Sequence, residues 1–231
     1  MIHDIFTIKE EIRIRPISFS ICEFETLRII AYNEDTTKER KQEMNTNTKE
    51  QELSSLKEQY ELRSAREDDI EEIVNLENLC FAPHVACTYE MLSARIKQIP
   101  DMFLVASSRQ TGEIAGFVTG LATEEEHFRD AFFEKPSLHF GKGHHVMILG
   151  LNVHPDYRHQ GLAKGLMSFY RLSQAKQGKT KIILTCLEDK IRMYEKMGYK
   201  NLGLSHSLWG GIPWYEMVLD LKKSKDTDKG S

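Results

Sequence analysis

The chain has 231 residues, 40% of them hydrophobic, with a formal net charge of -4 and a pI near 6.2. That is enough apolar material for one well-packed domain plus an appendage, and without a long basic stripe it speaks against nucleic acid as a partner. Four scattered cysteines (Cys22, Cys80, Cys87 and Cys186) with no C-x-x-C pair speak against a zinc site or a disulfide framework. Taken in chain order, the opening MIHDIFTIKEEIRIR lacks the apolar centre of a signal peptide. No apolar run approaches the roughly 20 residues of a membrane helix. The expectation is a cytoplasmic protein with no membrane partner and no metal.

Residues 1–57 read as an N-terminal extension and polar linker. IRIRPISFSI (12–21) alternates as a strand does, whereas between residues 33 and 52 the only apolar residue is Met44. Met44 opens MNTNTKEQELSSL, which has the look of a protein start, so residues 1–43 are expected to be a miscalled start or a small extension. A domain is expected over 58–222 and a charged tail over 223–231. YELRSA (60–65) predicts a short strand. Asp68 is a candidate N-cap for a helix carrying Ile70, Ile73, Val74 and Glu77 at helical spacing. TYEMLSARIKQI (88–99) predicts a second helix, stopped by Pro100. MFLVASS and EIAGFVTGLA predict two strands joined through RQTG. Residues 123–143 read as a loop with a helical turn.

VMILGLNV (146–153) is almost wholly apolar, as a central strand buried on both faces should be. A helix follows from 161 to about 177, with Gly178 at its C-cap. KIILTCL predicts another buried strand, DKIRMYEKM a short helix, and NLGLSHS with WYEMVLDL an antiparallel pair. The order predicts an α/β domain with one central sheet flanked by helices.

The strongest chemical signal is LGLNVHPDYRHQGLAKGLM. A buried strand runs into a turn, then Arg158, His159, Gln160, Gly161, Leu162 and Ala163, then a helix. The N–H groups at a helix start are unpaired and the helix dipole favours negative charge there, so the turn suits a pyrophosphate. Gly161 and Ala163 are small enough to let the backbone approach it, and Arg158 can add a charge-assisted contact. A second signal is Met193-Tyr194-Glu195-Lys196-Met197-Gly198-Tyr199, in which Tyr194 reads equally as a core residue of an amphipathic helix.

These two segments resemble the GNAT N-acetyltransferases, whose acyl-CoA signature, Arg/Gln-x-x-Gly-x-Gly/Ala, is matched in register by Arg158, Gly161 and Ala163. The resemblance covers about 60–221 and implies a mixed, mostly antiparallel sheet with splayed strands. It also implies acetyl-CoA as cosubstrate. The pyrophosphate would lie on Arg158–Ala163, and the pantetheine along the strand edge at Leu149, Leu151, Asn152 and Val153. By the same resemblance Tyr194 sits beside the CoA sulfur and protonates the departing thiolate, which suits a phenol that stays protonated at pH 7.

Within the family the chain looks most like the arylalkylamine branch, on Leu79-Cys80-Phe81, the aromatic stretch near His127–Phe133, and the close at GGIPWYEMVL. In the animal enzymes of that branch two histidines on the CoA strand relay the substrate proton. The aligned positions here are Met147 and Leu149. Strand alternation puts His145 on their face, further back, as a candidate base acting through water. His144-His145 reads equally as a partly exposed strand entrance. Glu188, Asp189 and His84 are further candidates for the site. Cys186 is expected in the core and His154 in a structural turn. Trp209 and Trp214 would form an aromatic wall or simply be buried. The expected function is acetyl transfer to a small primary amine by a monomer or homodimer. A protein N-terminal or lysine acetyltransferase, and a non-catalytic acyl-CoA-binding module, are the alternatives.

Overall fold

The computed structural model describes residue 51 and residues 53–221. The strand-like stretch 12–21, residues 33–50, Met44 and the tail lie outside the described residues. A helix, α1 (53–59), leads into β1 (Tyr60–Ser64). Then come α2 (Ile70–Cys80), α3 (Tyr89–Gln98), β2 (Phe103–Ser108), β3 (Ile114–Thr123), α4 (Ala131–Glu134) and β4 (His145–Val153). The chain continues through α5 (Leu162–Lys176), β5 (Lys181–Cys186), α6 (Ile191–Lys196), β6 (Lys200–Leu204) and β7 (Tyr215–Asp220). Within the described residues the predicted elements are present, including the antiparallel β6–β7 pair. One helix start differs. Asp68 falls in a 3-10 turn (Glu67–Asp69), and Asp69 occupies the cap position of α2. Asp69 has other work: its carboxylate takes both Arg63 Nη atoms, at 2.6 and 2.8 Å, and the Arg66 N–H.

The seven strands form one sheet in the order β1-β2-β3-β4-β5-β7-β6. Among the described strands only β4 and β5 run parallel, joined by the crossover helix α5. Helices cover both faces. On one face, Glu77 of α2 bonds Asn152 of β4, and the register carries that face through Phe117, Thr119 and Leu121 of β3. On the other, a Cβ added to Gly116 or Gly120 would meet Leu166, Leu162 or Tyr170 of α5 at 2.9–3.5 Å. Leu56 of α1 packs into this second face with Leu162 and Leu166. It lies directly against Gly165, where a side chain would meet it at 2.8 Å.

Two irregularities in β4 position the site. First, Thr119 pairs with Gly150 and Gly120 with Ile148, so Leu149 is an extra residue, a β-bulge. The bulge reverses the alternation: His145 and Met147 share the α2 face with Gly150 and Asn152, while Leu151 and Val153 look toward α5. Simple alternation through Leu149 therefore fails, because one residue is skipped in the register. Second, β4 and β5 pair only from His145↔Lys181 to Ile148↔Leu184, although both strands continue. Beyond that rung they splay, and Gly150–Val153 keep β3 alone as a partner.

Candidate active site

The gap opens where β4 leaves β5, and the segment after β4 closes one end of it. A 3-10 turn (Pro155–Tyr157) is capped by His154, whose Nδ1 accepts the Asp156 N–H, so His154 is structural as expected. His159 has φ 63° and Gly161 φ 82°, two left-handed residues that swing the chain into α5. A glycine is needed at 161 for that reason, and nothing lies within 4 Å of the Cβ it lacks. The first intrahelical bond runs from Gly165 N–H to Gly161 O, so the N–H groups before it point out of the helix end. Arg158 is exposed and folds back: its Nε donates to Val153 O at 3.0 Å and its Nη2 lies 3.5 Å from Cys80 Sγ. Gln160 is tied to Asp156 O.

Across the gap, on the α5 side, Tyr194 of α6 is buried and meets Tyr199 edge-on at 5.6 Å. Its hydroxyl has no hydrogen-bond partner among the described residues. Burial, and then the neighbouring Cys186, holds the phenol well above its ordinary value. Burial also pushes the Cys186 thiol up to about 11, with Asp189 adding to the shift. Cys186 is a core thiol, and Asp189 caps nothing: it pairs with Lys190 at 2.5 Å on the surface.

Leu149, Leu151 and Val153 lie in the open stretch of β4 as expected, but the Asn152 side chain does not face the gap. It is fully buried, and its Nδ2 donates to Glu77 Oε2 at 2.8 Å. Glu77 Oε1 accepts the Cys87 N–H at 2.8 Å, which ties the loop after α2 to β4. Burial raises the Glu77 carboxyl above its usual range, opposed by those bonds and by the Arg95 charge. His145 stands on the first β4–β5 rung, with Nδ1 2.9 Å from Glu125 O. Leu149 is four residues further on, about 13 Å along the strand.

Three loops meet on the α2 face. Trp209 donates from Nε1 to Val85 O at 2.7 Å and stacks on Phe133 at 4.6 Å. Trp214 Nε1 reaches Trp209 O at 2.8 Å. Gly210 lies so close to His84 O and Val85 that a Cβ would meet both at 2.8 Å. Ser207 Oγ bonds Asp130. His84 is thus carried beside the tryptophan loop. Sequence reading passed over one further pair: Glu216 of β7 is buried, accepts the Phe128 N–H at 2.9 Å, and lies 2.9 Å from His127 Nδ1. The signal available for Glu77 and Glu216 was a carboxylate standing in the apolar phase of its element.

The GNAT acetyltransferase family model matches residues 70–199, more than half of the chain and the whole of this gap. The chain belongs to the GNAT acetyltransferase family. This acetyltransferase is 32% identical over 144 residues to an acetyltransferase of Pectobacterium atrosepticum, covering 61% of this chain and 87% of the relative. An acetyltransferase of Sodalis glossinidius is 33% identical over 142 residues, 60% of this chain and 85% of its own. Among solved structures, the loading GNATL domain of CurA from Lyngbya majuscula superposes with a TM-score of 0.63 at 19% identity, over 70% of this chain and 98% of that one. A phosphinothricin acetyltransferase from Sinorhizobium meliloti, solved with AcCoA, gives 0.53 at 17%, over 75% and 94%. At such identities the structures attest the fold: a mostly antiparallel open sheet with splayed strands, flanked by helices. No helix of the described residues is long and apolar enough to cross a membrane.

Proposed function

We propose that this GNAT acetyltransferase moves an acetyl group from acetyl-CoA to a small primary amine, arylalkylamine-like or another small amine. The observation that carries the reading is the divergence of β4 from β5 after Ile148↔Leu184, with the Arg158–Ala163 turn at one end and Tyr194 on the opposite wall. A strand that loses one neighbour leaves backbone donors and acceptors free for an extended, amide-bearing ligand. Acetyl-CoA has that form: its pantetheine carries amides, and its pyrophosphate matches the helix start and Arg158.

In this arrangement the thioester lies near the bulge at Leu149. A β-bulge re-aims one N–H out of the ladder, and such a donor stabilises the oxyanion formed when an amine attacks the carbonyl. Tyr194 supplies the proton that the sulfur takes as it leaves. Its raised pKa keeps it protonated across the neutral range. Holding both substrates in one gap supplies much of the rate enhancement.

A small acceptor is favoured over a peptide by the way the acceptor end is closed. The loops carrying Val85, Phe133 and Trp209 are bonded to one another rather than parted into a groove. The acidic run that would draw a basic peptide is already paired: Glu124 with His144, Glu125 with Arg129, Glu126 with Lys181.

Thiol release from acetyl-CoA by the purified protein, against arylalkylamines, polyamines and peptides, tests the proposal. Turnover confined to small amines is expected, and turnover on peptides alone would reassign the acceptor. Stabilisation by acetyl-CoA with no turnover on any acceptor would make the chain a binding module. In the same assay Arg158→Ala is expected to raise the KM for acetyl-CoA about tenfold with little change in kcat, the size of one lost charge-assisted contact.

A further inference from the structure

We infer that His127, oriented by Glu216, takes the proton from the acceptor amine; the inference rests on the acetyl-transfer reading above. Glu216 lies on β7, beside β5. It is register partner to Thr185 of β5, one residue beyond Leu184, the last residue of β5 paired to β4. The pair therefore lies level with the opening of the gap, one strand, about 5 Å, beyond β5. Alternation settles the face. Met147 and Ile183 are partners on the α2 face, so Thr185 and Glu216 share it with Gly150 and Asn152. Tyr194 approaches from the α5 side, so acid and base stand on opposite sides of the sheet, with the reacting carbonyl between them.

The two side chains divide the work. Glu216 is only 5% exposed and is held by the Phe128 N–H, whereas His127 is 70% exposed. With Glu216 accepting from Nδ1–H, the neutral imidazole presents Nε2 as a lone pair toward solvent. A base whose second nitrogen is fixed by a buried carboxylate has the geometry general-base catalysis uses. The groups that would compete for the proton are engaged. On the same loop Glu125 pairs with Arg129, and Asp130 holds Ser207 and the Leu208 N–H. From β5, Lys181 pairs with Glu126. Just before β4, His144 pairs with Glu124, and at its start His145 bonds Glu125 O.

The ammonium of the amine gives one proton to His127 Nε2, and its lone pair then forms the C–N bond. The tetrahedral adduct collapses, the C–S bond breaks, and the sulfur leaves with the pair and takes a proton from Tyr194. The second proton of the new amide nitrogen restores Tyr194 through solvent, and His127 releases its own. One amine in ammonium form and one thioester give one amide, one thiol and one free proton.

The test is the kcat/KM–pH profile for the amine, measured for wild type, His127→Gln and Glu216→Gln with the amine that wild type turns over best. Wild type should lose activity toward acid, as the base becomes protonated. His127→Gln should fall at least tenfold at neutral pH and lose that acidic limb, with the KM for acetyl-CoA unchanged. Glu216→Gln still accepts the Phe128 N–H but cannot stabilise the imidazolium. It should keep the limb with a lower plateau. Because His127 is exposed, its loss should leave the melting temperature within about 1 °C, which separates chemistry from folding. An unchanged profile in both variants, with wild type active, overturns the dyad and leaves the acetyl-transfer reading standing. A wild type inactive on every amine overturns both.

Discussion

Glu77→Ala is expected to destabilise the protein by about 3–5 kcal/mol, the range for removing one partner from a buried charged network. For a domain of this size that corresponds to a fall of roughly 10 °C in melting temperature. The reason lies in what Glu77 touches. It satisfies the Cys87 N–H and the Asn152 amide, and its charge acts on Arg95. Arg95 is only 1% exposed and donates from Nη2 to Phe133 O at 2.7 Å, while its Nε and Nη1 have no partner among the described residues. Removing the carboxylate strands a cation and two donors in the interior. Glu77→Gln keeps the shape and one acceptor, so it should lose less than half as much. Urea unfolding of the three proteins decides the matter. A loss under 1 kcal/mol for Glu77→Ala would mean that something other than Glu77 balances Arg95.

The second large effect is on rate. Tyr194→Phe is expected to lower kcat on the order of 100-fold, the lower end of what a positioned general acid supplies. The KM for acetyl-CoA should stay within about twofold, since the ring that fills the wall is retained. The lost hydroxyl had no partner among the described residues, so stability should change little or rise. The measurement is steady-state thiol release, paired with a thermal melt of both proteins. An unchanged kcat would mean that the thiolate departs unassisted and that Tyr194 is only a wall residue.

The fold was largely legible in the sequence because each strand and helix announced itself locally. VMILGLNV read as a central strand covered on both faces, and Gly178 at φ 81° ends α5 as its position suggested. The left-handed turn into α5 was legible for the same reason, with its small residues and arginine within six positions. What sequence reading missed is non-local or one residue wide. A bulge at Leu149 leaves an all-apolar run looking the same in either phase, so the skipped residue carries no mark. The bond between the Asn152 side chain and Glu77 left no mark, because the two lie 75 positions apart. His127 and Glu216 are 89 positions apart and meet only because β7 returns beside β5.

The short β4–β5 pairing also has a mechanical meaning. Four rungs, His145↔Lys181 to Ile148↔Leu184, stitch a four-strand arm to a three-strand arm, and beyond them the arms are free of each other. Such a sheet is a pair of tweezers with its spring at one end. A cosubstrate gripped between the tips links both arms and relieves the spring of load. Amide hydrogen exchange at Ile182–Leu184 should therefore slow when acetyl-CoA is bound, although those residues lie behind the gap. Stiffness, and not only occupancy, would then report that the gap is filled.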